Sequence, residues 1–125
     1  MPETKLICKK PKHILVLAAY DGGSHGQFLD GLISYSKHIY TRISMKPRRW
    51  KWRMHGSALW FVDEIKRQTA SGHIDPHSID IIFTTDMTSV CDLKALLPKS
   101  LSHCKIVLYF HENQFAYPVQ CESEK

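Results

Sequence analysis

The 125-residue sequence is most informative first for what it lacks. No apolar run approaches the roughly 20 residues that cross a bilayer. The opening Met1-Pro2-Glu3-Thr4-Lys5 carries no long apolar region of the kind that directs secretion. A cytoplasmic protein with no membrane association is therefore expected. The four cysteines, Cys8, Cys91, Cys104 and Cys121, form no CxxC pair, so reduced thiols are expected rather than a disulfide framework. Cys91 and Cys104 are expected in apolar surroundings, as small buried hydrophobes. There is no HExxH pattern among the eight histidines, and no metal site is expected. Repeats and low-complexity stretches are also absent.

Acidic charge is missing from one long interval. Between Asp30 and Asp63 there is no Asp or Glu, while Lys37, Arg42, Lys46, Arg48, Arg49, Lys51 and Arg53 all fall there. Without those seven cations the chain has ten against twelve acids, so its net charge of +5 is the property of one local patch. A local basic patch implies an anionic partner at one place.

What is present reads as one α/β domain, with an apolar content of 43% that is ordinary for a soluble protein. Residues 1–12 are polar and expected to be flexible. Residues 13–20 form an uninterrupted apolar run, as buried parallel strands show. Ser24 is expected to cap a helix reaching about His38, with Phe28, Leu29, Leu32 and Ile33 on one face. A strand follows over 38–44. Residues 45–55 read as a basic, aromatic connection. A helix is predicted over 58–70, with Leu59, Phe61, Val62 and Ile65 as its stripe and Gly72 past its end. Residues 73–78 read as loop, 79–84 as a strand, 89–97 as a short helix ended by Pro98, and 104–110 as a fourth strand. Residues 111–118 read as a polar loop and 121–125 as a tail. The alternation of strand and helix predicts a mostly parallel, doubly wound, Rossmann-like sheet over 13–120. No covering helix is evident after the last strand, so the chain is expected to be truncated.

Two strand ends carry ligand-grade chemistry, and ligands bind at the carboxyl ends of strands in such sheets. The first strand runs into Asp21-Gly22-Gly23-Ser24-His25-Gly26. Backbone N–H groups at a helix start favour anions, and glycine permits close approach. The loop is not GxGxxG, so a dinucleotide site is not supported. Gly22, Gly23, Ser24 and His25 form either a ligand loop or a tight turn before a helix. The fourth strand runs into His111-Glu112-Asn113-Gln114. There His111 is a candidate base or hydrogen-bond donor, with Glu112 to orient it. Asp86 and Ser89 follow the third strand, read as helix-cap chemistry or as ligand contacts at the same edge. Arg49, Trp50, Lys51, Trp52 and Arg53 interleave cations with aromatics. That pattern suits phosphates together with stacked bases or sugars, such as nucleic acid or a sugar nucleotide, against the alternative of a solvated loop pinned by its tryptophans. The run is too short, and Pro47 too disruptive, for a membrane-surface helix.

Taken together, GGSH after the first strand, RWKWRMHGSA, and LYFHENQFAYPVQ resemble the N-terminal domain of the tRNA-queuosine α-mannosyltransferases. These are related to the family 4 retaining glycosyltransferases. The resemblance implies the N-terminal, acceptor-side half of a GT-B architecture, two Rossmann-like domains facing a cleft. It implies retaining transfer of mannose from GDP-mannose to queuosine in tRNA, with no metal and no cofactor beyond the donor sugar nucleotide. By the same resemblance Gly22, Gly23, Ser24 and His25 would face donor phosphates or acceptor. His111 would lie near the transferred sugar, with Glu112, Asn113 and Gln114 beside it. Arg49, Trp50, Lys51, Trp52 and Arg53 would serve the acceptor, tRNA. The donor-binding second domain would have to be supplied in cis or in trans, and the isolated chain is not expected to be active.

Overall fold

The computed structural model describes residues 10–19, 21–45, 50–86 and 88–110, with backbone alone over 50–55. Most of the expected flexible N-terminus, and the loop and tail from residue 111 onward, lie outside the described residues.

Among the described residues four strands form one sheet, β1 (His13–Ala18), β2 (Ile39–Ser44), β3 (Ile81–Thr85) and β4 (Lys105–Tyr109). Their order is β2-β1-β3-β4 and every pairing is parallel. Three helices connect them: α1 (Gly23–Tyr35), α2 (Trp50–Ala70) and α3 (Val90–Leu96). The architecture is the expected α/β Rossmann-like one, with all described pairings parallel.

Each strand end has a local cause. β1 is central, and Ile14, Leu15, Val16, Leu17 and Ala18 are all buried, which is why no polar residue interrupts the run. Its side chains alternate between two cores. Leu15 and Leu17 join Ile43, Phe61, Val62, Ile65, Ile82 and Leu93 on the face covered by α2 and α3. Ile14, Val16 and Ala18 join Leu29 on the face covered by α1, with Phe28, Tyr40, Ile81 and Phe83 at its margin. Helices on both faces are what right-handed crossovers require when the chain moves first to one side of β1 and then to the other.

Several expectations need correction. Ser24 does not cap α1. The N-cap is Gly22, which has no side chain to offer, and the turn is made by Gly23 at φ +55°, a conformation that favours glycine. The first helical hydrogen bond then runs from the Gly26 N–H to the Gly22 carbonyl, and α1 ends at Tyr35, short of His38. The basic segment 50–55 is not connection but the start of α2, which begins eight residues before the apolar stripe does. Leu59 is not part of that stripe. Ala58, Phe61, Val62 and Ile65 are buried at helical spacing, and Leu59, one position off, is exposed. Cys91 is exposed as well, because it sits about 200° around α3 from the buried Leu93. Cys104 is half-buried, against the α2 core. The stretch 73–78 contains a short 3-10 turn, Pro76–Ser78, capped by the Asp75 side chain.

No helix among the described residues is long and apolar enough to cross a membrane.

Candidate functional site at the carboxyl edge of the sheet

The chain leaves β1 toward β2 on one side and later returns to β3 on the other. The connections that leave the carboxyl ends of the paired β1 and β3 therefore run to opposite sides, and crevices that bind ligands form at such a reversal. The loop after β1 contributes Gly22, Gly23, Ser24 and His25, which lead into the first turn of α1. The end of β3 contributes Thr84, Thr85, Asp86, Thr88 and Ser89. The buried polar residues among those described are Thr84, Thr85, Asp86, Thr88 and Ser57. Four of the five thus come from the end of one strand, at this edge. Burying polar groups is costly without partners. Thr84 has one, since its hydroxyl donates to the Leu17 carbonyl at 3.1 Å. Thr88 Oγ1 is buried with no hydrogen-bond partner among the described residues. A buried hydroxyl of that kind suits a ligand or a water.

Ser89 performs the cap role. Its hydroxyl accepts from the Asp92 N–H at 3.3 Å at the start of α3. Asp86 lies in the turn between β3 and that cap, where the Thr88 N–H donates to the Thr85 carbonyl at 3.1 Å. His25 is half-buried in the first turn of α1.

The edge is braced by a polar cluster that sequence reasoning missed. Asp21 takes a hydrogen bond from Arg42 on one carboxylate oxygen and from the Ser44 hydroxyl on the other. Its own N–H donates to the Met45 carbonyl at 3.2 Å. Arg42 also donates to Asp30 on α1 at 2.6 Å. Partial burial lowers the Arg42 pKa, but the bonds to Asp30 and Asp21 outweigh it, and the group stays charged. Gly26 is buried against this cluster, and a Cβ there would meet the Asp21 carboxylate at 3.1 Å. One signal was legible in principle. Tyr40, Arg42 and Ser44 alternate onto one face of β2, and an acid stands three residues past the end of the neighbouring strand.

By connectivity, the start of α2 lies at this same edge, since the helix follows the end of β2. Trp50, Lys51, Trp52 and Arg53 form its first backbone turn. Arg49 lies outside the described residues. So do His111, Glu112, Asn113 and Gln114, which follow β4 in the chain. Tyr109, at the end of β4, stacks on Phe28 of α1 with ring centroids 4.2 Å apart. Phe83 joins the pair at 6.4 Å from each ring. These rings pack α1 against the edge strand beside the cleft.

Among the described residues no three His, Cys, Asp or Glu side chains come together in a metal-binding group. His73 and His77 have an HxxxH spacing, but they lie in the turn between α2 and β3, at the opposite edge of the sheet. The Cys104 thiol, near that same edge, is pushed up by burial and secondarily by Asp80, which disfavours a reactive thiolate.

A family model described as tRNA-queuosine alpha-mannosyltransferase N-terminal matches residues 13–125. The chain is also 37% identical over 114 residues to a fruit-fly (Drosophila melanogaster) tRNA-queuosine alpha-mannosyltransferase. That match covers 90% of this chain and 28% of the relative, so the chain spans little more than a quarter of the relative's length. No solved structure matches. With a family model over most of the chain and this level of identity, the chain belongs to the tRNA-queuosine alpha-mannosyltransferase family and corresponds to its N-terminal region.

Proposed function

We propose that this domain forms one wall of the cleft of a retaining glycosyltransferase that moves mannose from GDP-mannose to queuosine in tRNA. The observation that carries the reading is the convergence at one sheet edge. The glycine turn after β1, the buried polar end of β3 and the basic, aromatic first turn of α2 all lie there. The fruit-fly relative's name supplies the acceptor and the sugar.

In this reading Gly22, Gly23, Ser24 and His25 offer backbone N–H groups to an anionic part of the substrates. His111 stands near the transferred sugar, with Glu112, Asn113 and Gln114 beside it. Trp50 and Trp52 stack on exposed bases, while Arg49, Lys51 and Arg53 neutralise phosphates of the tRNA. Asp86 and Thr88 supply hydrogen bonds from the floor of the crevice. A GT-B donor-binding domain, in cis or in trans, completes the site, and the reaction takes place in the cytoplasm.

The test is transfer from GDP-mannose to queuosine-containing tRNA by the protein at its native length. His111→Ala is expected to abolish transfer while leaving tRNA binding intact, and wild-type turnover in that variant would remove the His111 role. Trp50→Ala and Arg53→Ala are expected to weaken tRNA binding, and unchanged affinity in both would remove the acceptor role of the start of α2. A protein that binds tRNA with a steep salt dependence yet is indifferent to GDP-mannose would instead be a binding module.

A further inference from the structure

We infer that Arg42 is a positioning residue for the glycine turn, acting through Asp21 to keep that turn both in shape and free of excess negative charge. The inference rests on the reading above, in which the turn faces an anionic part of the substrate. It goes beyond that reading by assigning a role to residues outside the turn.

The geometry has three parts. Asp21 stands directly before Gly22, the N-cap of α1. Its carboxylate is engaged on both oxygens, by Arg42 and by Ser44, and its N–H holds the Met45 carbonyl. The exit of β1 is thereby fixed to the exit of β2. That carboxylate also lies against the first turn of α1, where only the missing side chain of Gly26 makes room for it. A carboxylate packed so close to a helix start occupies the field that a substrate phosphate would use. Arg42 is its direct counter-charge. Its second bond goes to Asp30, whose side chain is 71% exposed and whose charge is largely met by solvent. The side chains of Arg42 and Asp21 are 22% and 20% exposed, so the Arg42–Asp21 pair is screened far less. Loss of Arg42 alone would leave a carboxylate uncompensated beside the turn.

The test uses two probes. The first is inorganic pyrophosphate, titrated into the full chain while the amide resonances of residues 22–26 are followed. Wild type is expected to show shifts confined to the turn, and Arg42→Gln to bind roughly 5- to 30-fold more weakly, the upper part of the range for a partly buried charge at a helix terminus. Asp21→Asn combined with Arg42→Gln removes both charges and is expected to restore the affinity to within about threefold. Arg42→Lys should recover most of it as well. The second probe is mannosyl transfer at native length. There Arg42→Gln should raise the KM for GDP-mannose by a similar factor and leave kcat within about twofold. Wild-type pyrophosphate affinity in Arg42→Gln, or no response of the turn in wild type, would overturn the inference. So would a double variant no better than the single one, which would reduce Arg42 to a structural brace. If the pyrophosphate pattern holds and no mannose is transferred, the mannosyl reading fails and the positioning role stands.

Discussion

Alanine at Gly26 and alanine at Gly31 should move stability in opposite directions, although both glycines lie within α1. Replacing glycine by alanine inside a helix ordinarily stabilises by about 0.5–1 kcal/mol, because the unfolded chain loses freedom. At Gly31 nothing lies within 4 Å of the added Cβ, so that gain should be realised in full. At Gly26 the Cβ would sit 3.1 Å from Asp21 Oδ1, and the Asp21 backbone carbon follows at 3.6 Å. The carboxylate has little freedom to retreat, since Arg42 and Ser44 hold its two oxygens and Met45 holds its N–H. Overpacking of this kind costs about 1–3 kcal/mol, which exceeds the backbone gain and leaves a net loss of about 0.5–2 kcal/mol. For a chain of 125 residues, 1 kcal/mol corresponds to about 4 °C in Tm. Thermal unfolding followed by circular dichroism should therefore show Gly26→Ala lower by about 2–8 °C and Gly31→Ala higher by about 2–4 °C. In an Asp21→Ala background the Gly26→Ala loss should vanish. Equal stabilisation by both alanines in the wild-type background would refute the claim that Asp21 is held rigidly against α1.

Three further outcomes follow from the same structure. Ser89→Ala removes the hydroxyl that accepts from the Asp92 N–H, and should cost about 1 kcal/mol in urea unfolding. Thr88→Val deletes a buried hydroxyl with no partner among the described residues, so stability should be unchanged or slightly higher, and a loss above about 1 kcal/mol would mean the hydroxyl is satisfied. The Glu64 carboxyl, hydrogen-bonded first by Arg67 and then by Gln68, is held at about 2 against an ordinary 4.5. A depressed acid contributes stability that is fully present above its unfolded value and is lost as the pH falls through its folded one. The contribution should therefore fade between about pH 4.5 and 2, and remain small because the pair lies at the surface. Carbon-detected NMR titration should find Glu64 near 2, moving back toward 4.5 in Arg67→Ala.

The fold was legible because its strongest signals are local. An apolar run too short for a helix and bounded by Asp21-Gly22-Gly23 reads as a buried strand, and Ser89 before Val90 suits a helix start. The start of α2 was not legible, since its first turns carry cations and tryptophans where an apolar stripe would announce a helix. The backbone shows the helix starting at Trp50, eight residues before the buried stripe of Ala58, Phe61, Val62 and Ile65. At the site, the glycine turn and the end of β3 could be read as neighbours once the sheet was assumed parallel. The Asp21–Arg42–Ser44 cluster was legible only as the alternation of Arg42 and Ser44 along β2, because their meeting with Asp21 depends on the register that sets Arg42 beside Val16 and Ser44 beside Ala18. Ser24 was misread for a related reason. A serine near a helix start suggests a cap, but a glycine at positive φ had already made the turn one residue earlier.

The function proposed for this domain is service in mannosyl transfer to queuosine in tRNA. The most direct measurement is mass analysis of tRNA nucleosides after incubating the native-length protein with GDP-mannose and queuosine-containing tRNA. Queuosine heavier by one hexose is expected with wild-type protein, and none with His111→Ala. Unmodified queuosine with a folded wild-type protein that binds the tRNA would contradict it.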